Sequence, residues 1–216
     1  MDTCTAAARL VVMDVDSTLI TGEVVEMLAG HAGSRPVVAE ITERAMRGEI
    51  DFAQSLRERV ATLAGLPVSV FDDVLAEVEL TPGAVELVAE LQGRGWPVGL
   101  VSGGFMEVAR PLATRLGITR VHANRLEVRD GVLTGRVDGP VVDRAAKAAT
   151  LAAWALELGL PMSRTVAIGD GANDLDMLAA AATGIAFNAK PVVAQAADVA
   201  VAGRLDAVLT LAPFAA

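Results

Sequence analysis

Nine residues, Leu10 to Thr18 (LVVMDVDST), constrain the fold of this chain more than any other stretch. Leu10, Val11, Val12 and Met13 make an unbroken apolar run between Arg9 and Asp14, the pattern of a strand buried on both faces of a parallel sheet. Asp14 and Asp16 follow at its carboxyl end. Alternate residues of an extended chain point to the same side, where two carboxylates are costly unless a cation lies between them. The pair implies a metal or a shared proton. Read alone, the stretch also fits a plain turn leaving a strand, with Ser17 and Thr18 as helix-cap candidates.

The same layout recurs after Thr81, where strands and helices alternate as in a doubly wound, Rossmann-like α/β sheet. Pro82 and Gly83 open a helix to Arg94. Pro97 to Val101 is a short buried strand ending in Ser102, Gly103 and Gly104, and a helix then runs to Leu116. Arg125–Val128 and Val132–Val137 flank Asp130 and Gly131 as a hairpin. Asp143 caps a helix lasting to Leu158. Thr165 to Ile168 is a third buried strand, ending in Gly169, Asp170, Gly171, Ala172, Asn173 and Asp174. A helix from about Asp174, a strand at Gly184–Phe187, a short helix after Pro191, a strand near Val199–Val201 and a last helix after Arg204 complete this part.

Between the first strand and Thr81 lies a stretch without strand character. Helices are predicted at Glu23–His31, Val37–Arg47, Asp51–Ala64 and Pro67–Val78, a small helical bundle inserted into the sheet domain. The predicted division is 1–21 with 81–216 as the α/β core, including a hairpin flap at about 124–138, and 22–80 as the helical insert. The insert joins the core through two short segments near Thr21 and Thr81, which suits a lid that opens and closes.

Ligands of an open parallel sheet bind beyond the carboxyl ends of its strands, so Asp14, Asp16, Ser102, Asp170 and Asp174 should meet there. Four carboxylates with no His or Cys among them suit a hard cation, and magnesium is the expected ion. Magnesium leaves coordination positions to water and substrate phosphate, which predicts phosphoryl transfer. Gly103, Gly104, Gly169 and Gly171 would let backbone N–H groups close around phosphate oxygens, with Ser102 adding a hydroxyl. Lys147 sits on an apolar stripe with Leu151, Trp154 and Leu158. A lysine there either meets an anion or snorkels to solvent. Arg144 shares the stripe one turn earlier, and periodicity does not choose between them.

The formal net charge of −9 opposes a nucleic-acid or anionic-membrane partner, since both need a basic face. No stretch approaches the roughly 18 consecutive apolar residues of a spanning helix, and the amino terminus lacks a secretory pattern. Cys4 is the one cysteine, read as an inert thiol, so a cytoplasmic protein is expected. His31, His122, Trp96 and Trp154 are read as packing or surface residues.

Asp14-Val-Asp-Ser-Thr18, Val101-Ser-Gly-Gly-Phe105, Lys147 and Gly169-Asp-Gly-Ala-Asn-Asp174, in this order, resemble the haloacid dehalogenase superfamily of phosphotransferases. The Ser-Gly-Gly-Phe string, the helical insert, Glu43-Arg-Ala-Met-Arg-Gly48 and Phe52-Ala-Gln-Ser-Leu-Arg-Glu-Arg-Val60 look more narrowly like its phosphoserine phosphatase branch. The resemblance implies Asp14 as nucleophile and Asp16 as the acid that protonates the departing oxygen and then deprotonates water. It implies a magnesium ion held by Asp14, the backbone carbonyl of Asp16 and Asp170, with Asp174 contributing or orienting its waters. Ser102 and Lys147 would hold the phosphoryl oxygens. In the insert, now read as a cap, Arg59 would bind the substrate carboxylate and Glu23 its ammonium. Met46 and Phe52 would close over the ligand, and Gly103 and Asn173 would add backbone and amide contacts. Without the family, Met46 and Phe52 read equally as bundle core and Glu23 as a helix-start carboxylate. The implied activity is magnesium-dependent hydrolysis of L-phosphoserine, a small-molecule substrate, by a monomer or homodimer. The alternatives are transfer of the phosphoryl group to another small alcohol such as homoserine, or a non-catalytic phosphate-binding module.

Overall fold

Leu10–Met13 is strand β1, and all four of its residues are fully buried. A computed structural model describes residues 8–214; Cys4 lies outside the described residues. Side chains of β1 alternate between two cores, as strand geometry requires. Val11 and Met13 face one cluster, and Leu10 and Val12 face the other.

The remaining elements in chain order are α1 (Val24–His31), α2 (Arg35–Met46), α3 (Phe52–Ala61), α4 (Val70–Glu77), α5 (Ala84–Gly93), β2 (Val98–Phe105), α6 (Met106–Arg115), β3 (Arg120–Arg129) and β4 (Val132–Asp138). They are followed by α7 (Arg144–Glu157), β5 (Thr165–Gly169), α8 (Leu175–Ala180), β6 (Thr183–Phe187), α9 (Pro191–Ala196) and β7 (Val199–Val201). The strands form one sheet in the order β4-β3-β2-β1-β5-β6-β7, parallel except for the β3–β4 hairpin. Leu87 and Leu91 of α5 and Val108 and Leu112 of α6 pack on one face, Leu151 of α7 and Met177 of α8 on the other. This is the predicted doubly wound sheet, with β1 at its centre. No helix among the described residues is long and apolar enough to cross a membrane.

Three elements differ from the sequence expectation. β2 does not end at Val101 but continues through Ser102, Gly103 and Gly104 to Phe105. β3 begins five residues before the predicted hairpin strand, with Arg120–Ala123 parallel to Gly99–Ser102 of β2. Polar residues disguise it: Arg120 reaches Glu157 and His122 reaches Thr150, both on α7. The segment after Arg204 is a 3₁₀ turn, Leu205–Thr210, not an α-helix. Trp154 packs where predicted, its ring lying against Gly99 so closely that a Cβ there would be 2.5 Å from it. His31 bonds Glu77 at 3.0 Å across α1 and α4.

Among the described residues, backbone hydrogen bonds attach the insert α1–α4 at three places, and α4 also packs on α6. Two are the predicted linkers, which pair with each other: the Thr21 N–H donates to the Glu79 carbonyl at 3.0 Å and the Thr81 N–H to the Leu19 carbonyl at 2.9 Å. The third is a strip of chain between α3 and α4. The Gly65 N–H donates to Leu133 O and the Leu133 N–H to Leu66 O, both at 2.8 Å, and the Val68 N–H donates to Gly131 O at 3.0 Å. The insert thereby covers the outer edge of β4, which would otherwise present unpaired backbone groups.

Candidate active site

At the carboxyl end of β1 the chain leaves the sheet through a tight turn, Val15–Leu19, in which Ser17 takes φ 56°. Asp14 stays at the sheet rim, while Asp16 turns toward the start of α1 and the end of β2. Its Oδ1 accepts the Val24 N–H at 2.8 Å, and its Oδ2 accepts the Ser102 hydroxyl at 2.9 Å. Ser102 Oγ in turn accepts the Gly104 N–H at 2.7 Å. Only glycine fits at position 104, because a Cβ there would run into the Asp16 carboxylate and lie 3.0 Å from Ser102 Oγ.

The structure separates Lys147 from Arg144, which periodicity left equal. Lys147 is fully buried, and its Nζ lies 2.7 Å from Asp14 Oδ1 and 2.6 Å from Asp174 Oδ1. Arg144 is exposed at the rim of the cleft and pairs with Asp176. Burial pulls the Lys147 pKa down, but Asp14 and Asp174 together outweigh it and hold the ammonium above its ordinary value. Asp174 Oδ2 accepts the Gly171 N–H at 3.0 Å, and Asp170 accepts the Thr18 hydroxyl at 3.2 Å.

Carboxylate oxygens of Asp14, Asp170 and Asp174 lie within 4.8 Å of one another. An all-oxygen set of this kind fits a hard divalent cation. The Asp16 carboxylate, engaged by Val24 and Ser102, is outside this group; the resemblance assigned the metal the backbone carbonyl of that residue, not its side chain. The electrostatics point the same way. Asp14 is raised well above the usual carboxylate range, first by burial and then by Asp174. Asp170 is pushed up to about 6 by burial and Asp174, and Asp16 is raised by burial. One buried ammonium does not neutralise this many acids, so an added cation is favoured.

Above the carboxylates lies a cleft of about 930 Å³ between insert and sheet, lined by Asp14, Asp16, Glu23, Met46, Phe52, Arg59, Gly103, Asp170 and Asn173 among others. Ser102 and Lys147 sit beneath its floor, both at most 1% exposed. Glu23 accepts the Ser17 hydroxyl at 2.8 Å and is pushed up to about 8 by burial and then by Asp16. Arg59 has no ion pair among the described residues; its Nε donates to Ser55 O at 3.3 Å. Phe52 packs across the cleft against Gly103, its ring 2.8 Å from where a Cβ would stand. Met46 is not bundle core: it is 66% exposed at the mouth, where Lys190 Nζ approaches its sulfur at 3.7 Å.

Three residues at the site escaped the sequence reading. Thr18 was read only as a cap, and Lys190 lies in a loop with no motif. Asn124, 1% exposed, stands one residue before the predicted start of its strand; the short polar–apolar alternation from Arg120 to Asn124 was the available signal.

The chain belongs to the haloacid dehalogenase-like hydrolases, whose family model matches residues 11–179. Phosphoserine phosphatase of Streptomyces coelicolor is 60% identical over 206 residues, which are 95% of this chain and 50% of that protein. Phosphoserine phosphatase of Streptococcus thermophilus is 58% identical over 184 residues, 85% of this chain and 86% of that one. A phosphoserine phosphatase solved as a phospho-aspartyl intermediate analogue superposes with a TM-score of 0.88 at 40% identity, covering 94% of this chain and 97% of that one. The chain thus spans about half the length of the Streptomyces relative and most of the Streptococcus one.

Proposed function

We propose that this protein hydrolyses L-phosphoserine to L-serine and phosphate, with magnesium, through a phosphorylated Asp14. One observation carries the reading: Asp14, bonded to buried Lys147, opens into a cleft that also holds a carboxyl able to take an ammonium, Glu23, and a guanidinium able to take a carboxylate, Arg59, which has no ion pair among the described residues. A phosphorylated amino acid needs these three recognition elements at once. In this reading 22–80 acts as the cap and the rest as the catalytic core.

Asp14 Oδ attacks phosphorus as the bond from phosphorus to the serine oxygen breaks. Asp16, its pKa raised by burial, gives its proton to that oxygen, then takes one from the water that cleaves the aspartyl phosphate. Lys147 and the Ser102 hydroxyl offset charge on the phosphoryl oxygens. Asp14, Asp170 and the Asp16 carbonyl would hold magnesium with help from Asp174, and the ion would neutralise phosphoryl charge. Gly103 and Asn173 line the same cleft as further substrate contacts, and Met46 and Phe52 close its mouth. A cytoplasmic monomer or homodimer belongs to the same reading.

A panel of phosphomonoesters tests it. Phosphoserine is expected to exceed p-nitrophenyl phosphate and sugar phosphates by at least ~100-fold in kcat/KM, because buried groups built for its ammonium and carboxylate are left unpaired by the others. Arg59→Met should remove that preference and spare p-nitrophenyl phosphate hydrolysis. Equal rates across the panel would overturn the substrate assignment, and formation of phosphohomoserine on adding homoserine would redefine the reaction as transfer.

A further inference from the structure

The pairing of β2 with β3 slips beside the candidate active site. Ser102 pairs with Ala123, but the next pair is Phe105 with Asn124, so Gly103 and Gly104 bulge out of the ladder. A bulge leaves backbone groups without ladder partners, and buried ones must be satisfied elsewhere. Asn124 does this from the neighbouring strand. Its Nδ2 donates to the Gly103 carbonyl at 2.8 Å, and its Oδ1 accepts the Val142 N–H at 2.8 Å. Val142 is itself buried and precedes Asp143, which caps α7 by accepting the Ala146 N–H at 2.9 Å. Lys147 follows one residue later. One buried amide thus ties the bulge after Ser102 to the entry of the helix that carries the ammonium. Asn124 does not line the cleft.

We propose that Asn124 is a positioning residue for phosphoryl transfer: it sets the Ser102–Gly104 bulge and Lys147 at a fixed separation across the phosphoryl site. The inference rests on the phosphatase reading above. The amide is required because one end must donate to a carbonyl and the other accept from an N–H. Asn124→Asp keeps the shape and the acceptor but turns a carboxylate oxygen toward the Gly103 carbonyl. Asn124→Ser removes both bonds without adding charge.

Both variants would be compared with the intact chain in magnesium, at a temperature where circular dichroism shows each folded. Because misplacement by about 1 Å costs ~100-fold in rate, kcat is expected to fall roughly 10–100-fold on phosphoserine and on p-nitrophenyl phosphate alike, with KM changed less than about threefold. Inhibition by orthovanadate, which imitates the transition state, should weaken by the same factor, while inhibition by inorganic phosphate stays within about threefold. A folded variant with kcat within about twofold of the parent, or equal weakening of vanadate and phosphate, overturns the proposal. Should the parent hydrolyse neither ester, the phosphatase reading fails. Amide exchange then decides the geometry separately: exchange at Gly103, Gly104 and Val142 is expected to quicken about tenfold in Asn124→Ser, and unchanged exchange overturns the tether.

Discussion

Lys147 shows how much one residue's surroundings decide. A fully buried ammonium is tolerable only with anions at hydrogen-bond distance, and Asp14 and Asp174 provide them at 2.7 and 2.6 Å. Periodicity had placed Lys147 and Arg144 on one stripe, and which of them turned inward depended on acids far away in sequence. Glu23 presents the opposite case, a partly buried acid near Asp16 with no cation bonded to it among the described residues. Its pKa of about 8, against an ordinary 4.5, means that the folded protein favours the protonated carboxyl. The stability this contributes is complete below about pH 4.5 and is lost as pH rises through about 8. Without ligand, the melting temperature should therefore decline across that window, and Glu23→Gln should make the decline shallower. An identical slope in the variant would show that Glu23 is not held protonated.

At the scale of elements, the insert is held differently from what the sequence suggests. Two linkers near Thr21 and Thr81 read as a hinge, yet the strip Gly65–Val68 is bonded to β4, and β4 is held by β3, a strand of the core sheet. Swinging the whole insert about the linkers would break those three bonds. Motion is therefore expected in the turn between α2 and α3, next to Met46 at the cleft mouth. In hydrogen exchange, magnesium with a phosphate analogue should slow amides of residues 47–51 by about tenfold, since the backbone N–H bonds of this turn stay within α2 and its end and none reaches the core sheet. Gly65 and Val68 should exchange slowly with or without it. Rapid exchange at Gly65 that slows on binding would restore the whole-cap hinge. The amino-terminal part of β3 is disguised for a related reason: Arg120 and His122 are polar where they meet α7, and Val121 and Ala123 alternate with them over too short a run to stand out.

The whole molecule carries a formal charge of −9 and gathers several acids into one crevice. Folding brings Asp14, Asp170 and Asp174 together against their mutual repulsion, and a divalent cation that binds only the folded arrangement must stabilise it by mass action. Magnesium at about 100 times its dissociation constant should add roughly 2.7 kcal/mol, read as a rise in melting temperature. Asp170→Asn should abolish most of that rise and melt above the parent in chelator, because it removes a buried like charge. A magnesium response unchanged in Asp170→Asn would place the ion elsewhere.

Apolar runs ending in Asp14, Ser102 and Asp170, and the alternation of strand and helix behind them, were decided by the sequence itself. Burial on both faces and the reach of a tight turn are local properties that residue order expresses directly. Which of Lys147 and Arg144 turned inward, why Asp16 parted from Asp14, and how Asn124 came to hold two segments of the candidate site were decided only by the tertiary structure. Each depends on partners that are distant along the chain, and chain order alone does not state which of them will meet.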